Sequence, residues 1–185
     1  MPIILDAKRG DIGNTNEGYV KMTFDKLGVD AITVSPYLGK ESLEPFLQRS
    51  DCGIIVLVKT SNPGAGEFQD LIVYPERSRR GKPLYQVVAK RIATDWNTNG
   101  NCAVVVGATY PEELLQVRKI IGDMPILIPG IGAQGGNVLE TVKNGVNSKK
   151  QGIIISSSRG IIFASNPREA TLKLHQEIVD SLKSI

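Results

Sequence analysis

Histidine is nearly missing from this chain, and its scarcity limits the chemistry available. A single His, His175, stands among 185 residues. It lies in a late helical segment between Leu174 and Gln176, distant in sequence from every motif, and reads as a surface side chain. A Ser-His-Asp or Cys-His arrangement would have to recruit that one residue. Proton transfer is therefore expected to fall to Lys, Asp or Glu. Cysteine is sparse as well. Cys52 and Cys102 sit at the starts of apolar runs and read as reduced, packed thiols of a cytoplasmic protein. No Cys/His cluster has metal-ligand spacing, so no metal is expected.

Long apolar runs are also lacking. None approaches the roughly 20 residues needed to cross a bilayer. No basic stretch leads into an apolar one near Met1, so no secretory signal is expected. Nor does charge of one sign dominate. The net charge is +3, which implies neither nucleic acid nor membrane as a partner. What remains is an ordinary globular composition, 41% hydrophobic and 22% charged. It suffices for a single domain over residues 1–185 with a real core.

Against this background the chain alternates short β-branched runs with longer amphipathic stretches. The runs are Ile3–Leu5, Ala31–Val34, Ile54–Val58, Ala103–Val106, Ile126–Ile128 and Ile153–Ile155. Nearly continuous Ile and Val is how strands buried on both faces read, as in parallel sheets. Helices are predicted over about 15–27, 40–49, 83–97, 111–121, 136–144 and 167–183. The last has a capping signal in Asn166-Pro167 with Glu169, and a stripe of Ala170, Leu174, Ile178 and Leu182. The helix at 83–97 is expected to turn Val87, Val88 and Ile92 inward. Six β-then-α units imply a parallel sheet with right-handed crossovers. On pattern alone, an open doubly wound sheet and a (β/α)₈ barrel remain equal alternatives. A complete barrel typically needs about 250 residues. The segment Thr60–Lys82 reads as irregular, and its basic run Arg77-Ser-Arg-Arg80 reads as solvated.

Chemistry gathers at the end of the first strand. Asp6 and Lys8 are two residues apart, so period-two alternation puts them on one face with Ala7 opposite. Strand C-termini are where catalytic groups collect in parallel α/β folds. Asp11 follows in the loop leading to the next helix. It can face the same pocket from another direction or reach a neighbouring subunit. An Asp-Lys salt bridge plus a helix cap explains the same spacing equally well.

Four ordered motifs go further together than any does alone. Asp6-Ala-Lys8-Arg-Gly-Asp11-Ile12-Gly-Asn-Thr15 resembles the Asp-x-Lys-x-x-Asp signature of the orotidine 5′-phosphate decarboxylase family. Thr60-Ser61-Asn62-Pro-Gly resembles that family's pyrimidine-contacting segment. Pro129-Gly-Ile-Gly132-Ala-Gln134-Gly135-Gly136 resembles its phosphate-closing loop. Ser156-Ser-Ser-Arg159-Gly160 resembles its last phosphate-gripping turn.

The resemblance implies an α/β fold of the TIM (β/α)₈ type and a homodimer with shared active sites. The implied reaction is decarboxylation of orotidine 5′-phosphate to uridine 5′-monophosphate, in pyrimidine biosynthesis and without a cofactor. Lys8 is the implied general acid, flanked by Asp6 and Asp11. Asp11, Ile12 and Thr15 are implied to serve the partner's site. Ser61 is implied to contact the base, Gln134 to bridge base and phosphate, and Arg159 to grip the phosphate. Gly130, Gly132, Gly135 and Gly136 would let backbone approach the anion, with amides as donors, and Gly160 is implied to bind the substrate beside Arg159.

The family's barrel places two βα units ahead of the Asp-x-Lys strand. Here that strand begins at residue 3, so six units are expected. Exposed edges at Ile3–Asp6 and Gly152–Ser156, and reduced or absent turnover by the 185-residue chain, are expected with them. Two other readings stand beside decarboxylation. One is a non-catalytic fragment that binds phosphate or dimerises. The other is a related, metal-using sugar-phosphate barrel enzyme.

Overall fold

The structure is a computed structural model that describes residues 1–74, 80–132 and 135–185. Six parallel strands form one curled sheet. They are β1 (Ile4–Arg9), β2 (Ala31–Val34), β3 (Gly53–Lys59), β6 (Cys102–Val106), β7 (Ile126–Pro129) and β8 (Ile153–Ser156). Two further short strands, β4 (Ile72–Val73) and β5 (Lys82–Pro83), pair antiparallel in a separate ribbon. The helices are α1 (Gly13–Val20), α2 (Gly39–Leu47), α3 (Gly66–Gln69), α4 (Leu84–Arg91), α5 (Pro111–Ile121), α6 (Val138–Gly145), α7 (Ser158–Ile162) and α8 (Pro167–Lys183).

Strand order decides between the two architectures that periodicity left open, in favour of the barrel that the resemblance implied. The sheet runs β1-β2-β3-β6-β7-β8, with each new strand added on the same side. A doubly wound sheet reverses direction at a switch point. This one never does, so its winding is that of a (β/α)₈ barrel with six βα units. Among the described residues β1 pairs only with β2, and β8 only with β7. Ile3 and Ile154 at these two edges are 52% and 39% exposed.

Both faces of the sheet are apolar, which is why the strands read as continuous runs. The outer face presents Ile32, Val34, Ile54, Val56, Val104, Val106, Ile126 and Ile128 to the helices. There they meet Leu43 and Phe46 of α2, Ile92, and Leu114 of α5, all fully buried. Each such side chain contributes about 1.5–3 kcal/mol. The inner face carries a smaller cluster, Ile55, Ala103, Val105 and Leu127, with Ile4, Ala31 and Leu57 against it. This inner layer floors the cavity described below. Cys52 and Cys102 are free and buried. Burial raises both thiols, Cys102 to about 11.

The helices match their expected spans with instructive differences. α1 and α4 each continue in a wider π-helical turn, Lys21–Lys26 and Ile92–Trp96. Those turns bring Phe24 and Trp96 into the core. The buried stripe of the fourth helix is Tyr85, Ala89, Ile92 and Trp96, with Val87 and Val88 only partly covered. Hydrophobic content alone pointed to the valines, but the i, i+4, i+7, i+11 spacing of Tyr85, Ala89, Ile92 and Trp96 sets the face. α8 opens as expected, with the Asn166 side chain accepting the Glu169 amide at 3.2 Å. The Thr60–Lys82 stretch is not irregular throughout. It contains α3 and the β4–β5 ribbon. Arg77 lies outside the described residues, while Arg80 lies within them.

Arg118 ties the far end of the sheet together. It donates from Nε to the Gly145 carbonyl at 2.8 Å and from Nη2 to Gly152 at 2.9 Å. Its Nη1 donates to the carbonyls of Gly122 and Met124, both at 2.6 Å. One guanidinium thus satisfies carbonyls from α6 and from the turns before β7 and β8. Arg118→Met should lower unfolding free energy in urea by about 2–4 kcal/mol. A loss under about 0.5 kcal/mol, the ordinary surface effect, would contradict this.

Candidate active site

β1 does not run straight to its end. Its register on β2 shifts between Leu5 and Arg9. Lys8 adopts a left-handed backbone, with φ of 50°. That conformation costs an L-residue about 1–2 kcal/mol. Asp6 and Lys8 do meet as the spacing suggests, but a local bulge re-aims Lys8, where simple alternation assumed a regular pleat.

Thr33 of β2 anchors the bulge. Its fully buried hydroxyl donates to Asp6 Oδ1 at 2.8 Å and accepts the Lys8 backbone N–H at 2.9 Å. Lys8 Nζ donates to the same Asp6 Oδ1 at 2.7 Å. The two charged side chains remain 50% and 57% exposed. An ion pair that open adds little stability. Strained backbone and a weak ion pair together point to function rather than to folding.

Both side chains line a cavity of about 840 Å³ at the C-terminal ends of the strands. Ser61, Thr60, Asn62 and Gln69 line one wall, Ser156 and Pro129 another, and Leu57, Val105 and Leu127 the floor. A smaller hollow of about 100 Å³ adjoins it and shares Asp6, Pro129 and Ser156. Its remaining walls are Gly130, Ile131 and Ser157–Arg159. An ammonium–carboxylate pair therefore stands between a chamber with an apolar floor and polar walls and a small recess flanked by a guanidinium.

The other expected site residues fall as follows. Asp11, Ile12 and Thr15 sit in the turn into α1 and in α1, and none of them lines either cavity. The Asp11 carboxylate accepts the Ile12 amide at 2.8 Å. Ile12 is 67% exposed. The glycine loop is built from left-handed turns, with φ of 78° at Gly132 and 84° at Gly135. The Gly135 and Gly136 amides donate to the carbonyls of Gly132 and Gly130, so they close the turn on itself. Gly136 admits no side chain, because a Cβ there would stand 2.6 Å from the Ala108 Cβ. Ser157 Oγ donates to the Ile131 carbonyl at 3.4 Å and ties this loop to the β8 turn. Gly160 abuts the same hydroxyl, 2.8 Å from where its Cβ would lie. Arg159 is exposed at the start of α7. Gln134 lies outside the described residues.

Sequence reasoning passed over Thr33, Lys59 and Gln69. A lone hydroxyl inside Ala31–Val34, and a lysine ending the apolar run at Val58, were the available signals. Among the described residues, no three His, Cys, Asp or Glu side chains gather as a metal-ligating group. No helix there is long and apolar enough to cross a membrane.

Fold and site together define a (β/α)₈-type protein with its main cavity, among the described residues, at the strand C-termini. Residues 1–174 match the orotidine 5′-phosphate decarboxylase / HUMPS family model, and the chain belongs to that family. It is 55% identical over 164 residues to orotidine 5′-phosphate decarboxylase of Janthinobacterium sp. (strain Marseille), covering 89% of this chain and 58% of that protein. It is 49% identical over 185 residues to the enzyme of the same name from Cupriavidus metallidurans, covering 100% of this chain and 66% of that one. The chain thus spans about three fifths to two thirds of these relatives' length. Among solved structures, Leishmania donovani OMP decarboxylase superposes with a TM-score of 0.90 at 40% identity, covering 98% of this chain and 68% of that one.

The left-handed backbone at Lys8 can be tested through stability. Lys8→Gly should be about 1 kcal/mol more stable to urea than Lys8→Ala, because glycine adopts positive φ without strain. Equal stability, or a more stable alanine variant, would contradict the bulge.

Proposed function

We propose that this site binds orotidine 5′-phosphate and removes CO₂ from C6 of the orotate ring, giving uridine 5′-monophosphate. The observation that carries the reading is the 2.7 Å Lys8–Asp6 pair, set on a cavity wall beside the recess flanked by Arg159. Family membership and the names of the relatives support the same reading.

Loss of CO₂ breaks the bond from C6 to the carboxylate and leaves the electron pair on C6. The Lys8 ammonium stabilises that charge and then gives C6 a proton. Lys8 is left neutral and regains a proton from water. Asp6, beside the substrate carboxylate, opposes its negative charge and favours departure as neutral CO₂. Lys8 supplies both charge and proton, so the step needs no cofactor.

In this reading Arg159 holds the phosphate in the small recess and Ser61 meets the base. Gln134 spans base and phosphate, and the loop through Gly132 and Gly135 closes over them. Binding energy from the phosphate then favours closure and the transition state. Asp11, Ile12 and Thr15 serve the site of a second copy in a homodimer. The exposure of Ile12, and the position of Asp11 outside the cavity wall, support that assignment. Buried free thiols accord with a reducing, cytoplasmic setting.

Ultraviolet spectrophotometry with orotidine 5′-phosphate, paired with calorimetry using uridine 5′-monophosphate, tests this. Lys8→Met should lower turnover by about 10²-fold or more. Arg159→Ala should weaken nucleotide binding about tenfold or more. A wild-type chain that neither consumes the substrate nor binds the product overturns the proposal. Where the wild-type chain turns the substrate over, a Lys8→Met chain that keeps its rate overturns the proposal as well.

A further inference from the structure

Lys59 is fully buried at the end of β3, a rare place for a lysine. Its Nζ lies 2.5 Å from Asp70 Oδ1 and 4.5 Å from the centroid of the Tyr110 ring. Burying an ammonium is costly, and an apolar residue of similar size would stabilise the core at least as well. The pair must therefore be judged by what it connects. Lys59 and Asp70 stand at the two ends of the excursion that carries Ser61 to the cavity wall.

Three more contacts hold the same excursion. The Thr60 amide donates to Gln69 Oε1 at 2.9 Å, and Gln69 Nε2 donates to Thr60 Oγ1 at 2.9 Å. Tyr110, whose ring lies under the Lys59 ammonium, donates its hydroxyl to the Asn62 carbonyl at 3.4 Å. From the opposite side the excursion presses on Gly107, where a Cβ would stand 2.8 Å from the Ser61 Cα. Ser61 is thus clamped between a bare glycine and a braced loop. Among the described residues, the Ser61 hydroxyl itself makes no hydrogen bond.

We propose that Lys59 and Asp70 are positioning residues, whose ion pair fixes the Ser61 loop so that the site can read the base of a pyrimidine nucleotide. This rests on the nucleotide reading above. Neither residue is assigned contact with the ligand. Their effect passes through the loop, and so falls on base recognition and not on the phosphate recess across the cavity.

The test compares two ligands that share a sugar phosphate. Binding of uridine 5′-monophosphate and of ribose 5-phosphate is measured for wild type, Lys59→Met, Asp70→Asn and Asp70→Glu, with thermal melting to establish folding. Lys59→Met and Asp70→Asn should each weaken the nucleotide about tenfold and leave ribose 5-phosphate within about twofold. Asp70→Glu, which restores the carboxylate, should recover part of the loss. Should Lys59→Met fail to fold, Asp70→Asn carries the test, since its side chain is half exposed. A folded Asp70→Asn chain with unchanged nucleotide affinity overturns the positioning role, as does a parallel loss of both ligands. A wild-type chain that binds neither ligand overturns the nucleotide reading itself, and this role with it.

Discussion

A buried threonine hydroxyl holds the charged end of β1 in its unusual shape. Thr33 reaches across from β2, gives its proton to Asp6 and takes the Lys8 amide. Without that bridge, the left-handed backbone at Lys8 would have no compensation and the strand would relax to a regular pleat. With it, Lys8 Nζ and the Asp6 carboxylate meet at the cavity wall. The remaining parts of the site are arranged relative to this pair: the Ser61 loop, the small recess of Ile131, Ser157 and Arg159, and the apolar floor.

The scaffold makes such a device possible by being rigid on both faces. Helices cover the outer face, and an inner apolar layer fills the strand bases. Arg118 fastens the turns that lead into β7 and β8 by occupying four carbonyls at once. Stability is therefore concentrated in the core and at the N-terminal ends of the later strands. The opposite rim is left for strained backbone, glycine turns and half-exposed charge.

Much of this was legible in the residues. Continuous Ile and Val runs announced all six strands; β2, β3, β6 and β7 are largely buried on both sides, while the edge strands β1 and β8 stay partly exposed. The Asn166–Glu169 cap fixed the start of α8. The winding was legible only through the motifs' resemblance, which implied a (β/α)₈ barrel, because local periodicity cannot say on which side the next strand is added. Only the order β1-β2-β3-β6-β7-β8 excludes a reversal. Within the site, Asp6, Lys8, Ser61 and Arg159 were read from spacing and resemblance, and the structure gathers them around two adjoining hollows. Thr33 and Lys59 were missed because each makes its contacts across the fold. The left-handed conformation of Lys8 was missed because nothing in a lysine announces it. The glycine loop differs in detail too: two of the amides expected to face an anion are taken up inside the turn.

The proposed function requires the bulged end of β1 to present Lys8 to a nucleotide lying across both hollows. A crystal structure of the chain with uridine 5′-monophosphate tests it most directly. The expected result has the pyrimidine against Lys8 and Ser61, the phosphate in the recess beside Arg159, and Lys8 still at positive φ. A nucleotide bound elsewhere, or a phosphate lodged against Lys8 with the base turned away, would contradict it.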